Sequence, residues 1–331
     1  MHKHFRLFVF VCIASCAFAA HGQSEPPAFR HLSINDGLSQ NAVVSIMQDS
    51  KGSMWFGTKD GLNRYDGKRF KVYKHDASDT LSLPENYTTA IFEDREGRIW
   101  VGSQRAGIAY FDRQTETFHK VRLQENQSRR GDKDSDVHAI AQDHDGNIWV
   151  ATEESGLFCL KARKDGHFRV IRRFETGAKA NAPQAFDDFI SLKIANDGTI
   201  WTGCSNGLAY FDKEKNAPEL IKINTRHPDA PHDVLEDAVT TIYEDADGML
   251  WLGALSGTVA FDPKTRKNKL YPHKYEVNRY GWGRVHDIVR DNQGLFWLGT
   301  PAGLMIFSPA TGLYGYISHD PFGNPIPPFG K

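Results

Sequence analysis

Gly203-Cys204-Ser205-Asn206-Gly207 spells G-x-S-x-G, the pattern in which a strand-to-helix turn presents a nucleophilic serine. Both glycines recur in segments that lack the serine, and no helical periodicity follows, so a plain turn is expected. Asp143-His144-Asp145-Gly146 and Asp245-Ala246-Asp247-Gly248 begin as calcium loops begin, but the further ligands and the distal glutamate are missing. Hairpin turns are the expected reading. His138 and His286 each stand 11 residues before a tryptophan, a shared register from which an inward imidazole could take a proton. Neither is accompanied in sequence by a matched acid or a metal cluster, so a structural histidine is the simpler reading and a lyase base the alternative. There is no paired C-x-x-C, no H-E-x-x-H and no zinc spacing, and neither a metal nor a cofactor is expected. Cys159 and Cys204 look like strand interiors and are expected to be buried free thiols.

These residues all belong to one repeated frame. Six of the seven tryptophans, Trp55, Trp100, Trp149, Trp201, Trp251 and Trp297, are spaced by 45, 49, 52, 50 and 46 residues. Three residues before each is a glycine (Gly52, Gly97, Gly146, Gly198, Gly248, Gly294). Six before is Asp49, Asp94, Asp143, Asp245 or Asp291, with Ala195 as the exception. In the first unit Val43 to Gln48 reads as a strand, Asp49 to Gly52 as a turn, and Ser53 to Thr58 as a second strand. Leu62 to Tyr65 and Phe70 to Lys74 complete four strands. The inner two do not alternate cleanly, as burial on both faces produces. Sheets packed radially around an axis bury both faces, which predicts an all-β fold, a β-propeller of four-stranded blades; a straight solenoid of sheets is the alternative.

The run D-x-x-G-x-[aliphatic]-W-x-G-T followed by G-L resembles the two-component regulator propeller repeat over residues 29–318. Ile34 to Asn41 and Gly57 to Asp66 are similar to that family's first blade. The resemblance implies a periplasmic ligand-binding sensor for oligosaccharides or other extracellular ligands, signalling through a membrane helix to a kinase or cyclase. It implies no enzymatic activity in these residues and usually seven blades. Six complete repeats are present, with Ala28 to Ile34 reading as one unmatched N-terminal outer strand. The expectation is a seven-bladed plan left incomplete, a truncated or split receptor without its membrane and output parts. Self-association, or a partner supplying the seventh blade, would then follow; a closed six-bladed ring is the alternative.

In a propeller, ligands meet the loops at the channel mouth. Fourteen residues before the tryptophans come Asn41, Asn86, Ser135, Asp187, Asp237 and Gly283, a mostly polar level. Such residues can equally cap the strand starts as Asx turns. With the neighbouring loops, the candidate ligand-binding residues are Asn41, Lys59, Asp60, Asn86, Tyr87, Gln104, Arg105, Glu153, Asp187, Asp237, Trp282 and Arg284. Phe189, Tyr280 and Glu154 lie close in sequence. Aromatic faces beside directional hydrogen-bonding groups suit a sugar or another small molecule. Trp282 is singled out because it is the one tryptophan outside the repeat.

Lys3 and Arg6, the apolar run Leu7 to Ala20 and Ala17-Phe18-Ala19 read as a signal peptide over residues 1–22, ahead of a propeller domain over 23–331. Fourteen apolar residues span only about 21 Å as a helix, short of the roughly 30 Å hydrocarbon core. A periplasmic or secreted protein is expected; Ile13 to Cys16 resembles a lipobox, and lipid anchoring at Cys16 is the alternative. Lys plus Arg number 40 against 41 Asp plus Glu in 331 residues, without long same-sign blocks, so no nucleic-acid partner is expected.

Overall fold

A computed structural model of the chain describes residues 31–123, 136–153, 155–174, 188–212, 217–223, 238–273, 284–301 and 303–316. Each tryptophan unit forms one four-stranded antiparallel sheet with its strands in sequence order, giving a propeller of six blades. Blade 1 is β1 (Val43–Gln48), β2 (Met54–Thr58), β3 (Gly61–Tyr65) and β4 (Phe70–Tyr73). Blade 2 is β5 (Thr88–Glu93), β6 (Ile99–Ser103), β7 (Gly107–Asp112) and β8 (Thr117–Val121). Blade 3 is β9 (Val137–Gln142), β10 (Ile148–Thr152), β11 (Leu157–Ala162) and β12 (Phe168–Phe174). Blade 4 is β13 (Phe189–Ile194), β14 (Ile200–Cys204), β15 (Gly207–Asp212) and β16 (Ala217–Ile221). Blade 5 is β17 (Val239–Glu244), β18 (Leu250–Ala254), β19 (Gly257–Phe261) and β20 (Asn268–Pro272). Blade 6 is β21 (Asp287–Arg290), β22 (Phe296–Thr300), β23 (Gly303–Ser308) and β24 (Leu313–Tyr316).

The second strands β6, β10, β14 and β18 are buried at every residue, because both of their faces meet protein. The tryptophans of blades 1 to 5 each project toward the next blade. Trp55 lies edge-on to Phe111 with ring centroids 5.5 Å apart, and Trp251 meets Phe296 at 4.9 Å. Such aromatic pairs add to what area burial contributes.

The repeated aspartate holds both the turn and the tryptophan. Asp49 Oδ1 accepts the backbone N–H groups of Lys51 and Ser53, and its Oδ2 accepts the Trp55 indole N–H at 2.8 Å. Asp94, Asp143, Asp245 and Asp291 repeat the indole contact at 2.8 or 2.9 Å. In blade 4 Ala195 supplies no carboxylate, and Asp197 Oδ1 accepts the Thr199 N–H instead. The closing glycine needs a positive φ, as at Gly52 (φ 85°). The calcium-loop likeness of Asp143 and Asp245 is thereby accounted for as hairpin chemistry.

One expectation is corrected. Residues 31–34 of the proposed outer strand are not a strand; Ile34–Asp36 form a 3-10 turn, while residues 28–30 lie outside the described residues. Ser33 caps that turn, its side chain accepting the Asn35 N–H, and Asp36 bonds back to the Ser33 N–H. This local capping box outweighs the strand pattern. Among the described residues no helix is long and apolar enough to cross a membrane, and the expected signal peptide and Cys16 fall outside them.

Candidate functional site

A β-bulge interrupts the pairing of the first two strands, for example between Val43 and Ser45, Thr88 and Ala90, and Val239 and Thr241. Bulges re-aim side chains at the ends of sheets. Here the bulge adjoins the loops that join second to third strands, and these loops carry the candidate residues.

Across blades 1 to 3 the loops are wired together. The Lys59 ammonium lies 5.7 Å from the centre of the Tyr87 ring, within cation–π range, and so links blade 1 to the approach of blade 2. Asp60 Oδ2 accepts from Lys74 Nζ at 2.6 Å. The Gln104 N–H donates to the Tyr87 carbonyl at 3.0 Å, and the Glu153 N–H to the Asp136 carbonyl at 2.9 Å. Arg105 is held at φ 65°, unusual for a residue with a side chain, while its N–H donates to Asp136 Oδ1 at 2.7 Å. Backbone held in such a region tends to mark functional loops. Its guanidinium is exposed. His138 Nε2 lies 3.3 Å from Glu153 Oε2.

Asn41 and Asn86 spend their side-chain carbonyls on backbone: Asn41 Oδ1 accepts the Ile34 N–H at 2.9 Å, and Asn86 Oδ1 the His75 N–H at 2.8 Å. Both bonds reach a backbone N–H seven or eleven residues back in the chain, not the local one of an Asx turn. Arg284 is half-buried, and its Nε has no hydrogen-bond partner among the described residues. Beside it, desolvation by surrounding protein, and then the Arg284 charge, hold the His286 imidazole below its ordinary pKa. Asp187, Asp237 and Trp282 lie outside the described residues, as do Glu154 and Tyr280. The structure therefore brings Lys59, Tyr87, Gln104, Arg105 and Glu153 into one connected band, with Asp60 adjoining it. Asp136 was missed by the sequence reading. Its signal was a carboxylate immediately before a first strand, one residue later than the register used.

The band offers an aromatic ring, exposed cations and carboxylates from the loops of three blades, which is donor and acceptor chemistry for a polyhydroxylated or zwitterionic molecule. Ser205 lies in the turn between β14 and β15, with its hydroxyl 3.4 Å from Asp188 Oδ2, and a strand follows it. The strand-turn-helix support of a nucleophile elbow is therefore missing. Cys159 and Cys204 are buried free thiols, each pushed up to about 12 by burial.

The architecture defines a β-propeller. More particularly, the model of the two-component regulator propeller matches four segments of the chain, residues 37–60, 82–105, 131–154 and 233–255. The extracellular domain of a putative hybrid two-component system from B. thetaiotaomicron superposes with a TM-score of 0.68 at 24% identity, covering 89% of this chain and 39% of that one. A second such domain from the same organism gives 0.67 at 20%, covering 87% and 38%. PorZ, a surface component of the type-IX secretion system of Porphyromonas gingivalis, gives 0.59 at 16%, covering 80% and 38%. Among curated proteins, Histidine kinase P4 of Formosa agariphila is 35% identical over 81 residues, which is 24% of this chain and 6% of that protein. This chain thus spans well under half the length of each of these relatives.

Proposed function

We propose that the chain is the ligand-binding sensor propeller of a two-component signalling receptor, working outside the cytoplasm, and that it recognises an oligosaccharide or another small polar molecule. The observation that carries this reading is the band from Lys59 to Glu153, where loops that differ between blades converge on an otherwise repeated scaffold. The matched repeats, and the description of two structural neighbours as extracellular domains of two-component systems, support it. The ligand binds without being turned over. Titration calorimetry of the full chain against panels of oligosaccharides and small metabolites tests the reading: saturable heat from one class is expected, and catalytic turnover of a bound compound would overturn it.

A second reading rests on His138, whose imidazole a carboxylate orients as a general base requires. In that case the chain is a propeller lyase, similar to streptogramin lyases, using His138 or His286. Any turnover found should vanish in His138→Ala or His286→Ala; turnover retained by both variants removes this alternative. The likeness to PorZ shows that the same fold serves a surface component of a secretion system, so fold alone does not choose between sensing and scaffolding.

A further inference from the structure

Blade 3 ends in a hairpin that departs from the rest of the rim. Its fourth strand β12 has seven residues, where the other fourth strands have four or five. Residues 161–174 hold six Lys and Arg against the one carboxylate of Asp165, in a chain with 40 against 41. Along the sequence these cations are interrupted by Ala162, Gly166, Val170 and Ile171, so no block of one sign stands out. Pairing of β11 with β12 brings them together: Lys161 lies directly opposite Arg169, and Arg163 and Lys164 stand in the turn just beyond. All four are exposed. Opposed residues on neighbouring strands hold their Cβ atoms only about 5 Å apart, where like charges repel.

Among the described residues no carboxylate pairs with these four side chains. Asp165 is committed to its own turn, its Oδ1 accepting the His167 N–H at 3.0 Å. The other two cations are engaged: Arg173 Nε donates to the Ser155 carbonyl at 3.0 Å with its guanidinium 5.3 Å from the centre of the Phe158 ring, and Arg172 lines a cavity with Asp143 and Asp197. Blade 1 shows what a like pair takes. There Arg64 lies opposite Lys71, and the Glu116 carboxylate, reaching over from the turn of blade 2, contacts both, at 3.7 Å from Arg64. Elsewhere Lys74 of β4 pairs with Asp60, and Arg266, just before β20, with Glu219. Lys161 and Arg169 repeat the like pair of blade 1 without its carboxylate.

We propose that this hairpin is the docking surface for a linear acidic polysaccharide, whose carboxylate or sulfate groups take the place that Glu116 fills in blade 1. Guanidinium groups hold such oxyanions in bidentate fashion, and lysines add point charges. Lys161 and Lys164 are separated by at most about 11 Å of chain, so one polymer segment with closely spaced anions meets all four cations. A membrane surface is disfavoured, because elements that lie on lipid bury an apolar face and Ile171, 38% exposed, is the one large apolar side chain this hairpin exposes. An acidic peptide added as a fifth strand is disfavoured by the β-bulge opposite Cys159 and Leu160, which interrupts the free edge of β12. The turn 163–167 lies at the end of blade 3 opposite the loop of Glu153, so this surface is separate from the mouth and does not require a ligand there.

The test measures binding of the full chain to immobilised heparin and polygalacturonate, probes of the sulfated and the carboxylated class, at low and at high salt. The parent should bind at least one of them, with affinity lost as salt screens the contact. The combined variant Lys161→Gln, Arg163→Gln, Lys164→Gln and Arg169→Gln should weaken binding about tenfold or more, whereas Lys264→Gln, Lys267→Gln and Lys269→Gln, exposed on the outer hairpin of blade 5, should change it less than about threefold. Arg169→Glu relieves the like pair, so it should raise the melting temperature while weakening binding. No binding by the parent overturns the proposal and leaves the cations as guards of a free strand edge. So do equal losses in the blade 3 and blade 5 variants, or a lower melting temperature for Arg169→Glu. Tighter retention on vesicles of anionic phospholipid, or on polyglutamate, than on either polysaccharide also overturns it. Calorimetric titration of small ligands is read separately and is independent of each of these outcomes.

Discussion

The two ends of each blade are built by different rules. At the end bearing the first hairpin, an aspartate, a glycine and a tryptophan recur with the same bonds and nearly the same distances. At the other end no two loops carry the same side chains: Lys59-Asp60, Gln104-Arg105, Glu153 and Ser205-Asn206 stand at comparable places. Repetition marks what every blade needs to stand beside its neighbours. Variation marks residues free to be chosen for something other than the fold.

The contrast is most open to breakage at the tryptophans. Trp100→Ala should cost about 3–5 kcal/mol, the usual consequence of emptying a large buried aromatic site, read as a shift in the denaturant midpoint. A loss below 1 kcal/mol would show that the repeated end is not the scaffold. Next come the aspartates. Asp94→Ala removes the acceptor of a buried indole N–H and of two backbone N–H groups, and a loss of about 1–3 kcal/mol is expected.

At Asp49 burial pushes the carboxyl up, but hydrogen bonds from the Trp55 indole and the Arg113 guanidinium outweigh it and leave the group below the usual carboxylate value. Its contribution is thus fully present above the unfolded value of about 4 and is lost as pH falls through the lower folded value. Asp49→Asn should be less stable than the parent at neutral pH and should lose less stability on acidification below about pH 4. Unfolding curves at a series of pH values check the slope.

Trp282→Ala should weaken ligand binding by about 1–3 kcal/mol while leaving the melting temperature nearly unchanged. Equal loss of stability by Trp282→Ala and Trp100→Ala would reduce Trp282 to a scaffold residue. The smallest effects sharpen the comparison from either side. Ala195→Asp, which restores the missing acceptor in blade 4, should add about 0.5–1.5 kcal/mol of stability. Lys59→Ala, at an exposed cation over Tyr87, should change stability by no more than about 0.5 kcal/mol yet alter the affinity for any ligand the mouth binds.

The strand framework was legible because a fixed chemical unit imposes a fixed register. Asp49, Gly52 and Trp55 bond one another locally, so β1 over Val43 to Gln48 could be read to the residue, and β2 and β3 to within one. The N-terminal segment was not legible, since the pattern around Phe29 ignored how Ser33 and Asp36 satisfy the same N–H groups locally. The mouth was only partly legible. Counting back 14 residues from Trp149 points to Ser135, one residue away from Asp136, whose carbonyl receives the Glu153 N–H. Loop-to-loop contacts such as Arg105 with Asp136 join residues 31 apart through segments of unequal length, which no fixed spacing encodes.

The thiols of Cys159 and Cys204, in blades 3 and 4, carry one further consequence. With both pushed up to about 12 by burial, hardly any of either thiol is in the reactive anionic form at neutral pH. Oxidants and alkylating reagents in the surrounding medium therefore find almost nothing to attack while the sheets are shut. Labelling at either sulfur becomes a clock for momentary opening of the middle of the ring, two native reporters placed on either side of the one turn that lacks its aspartate.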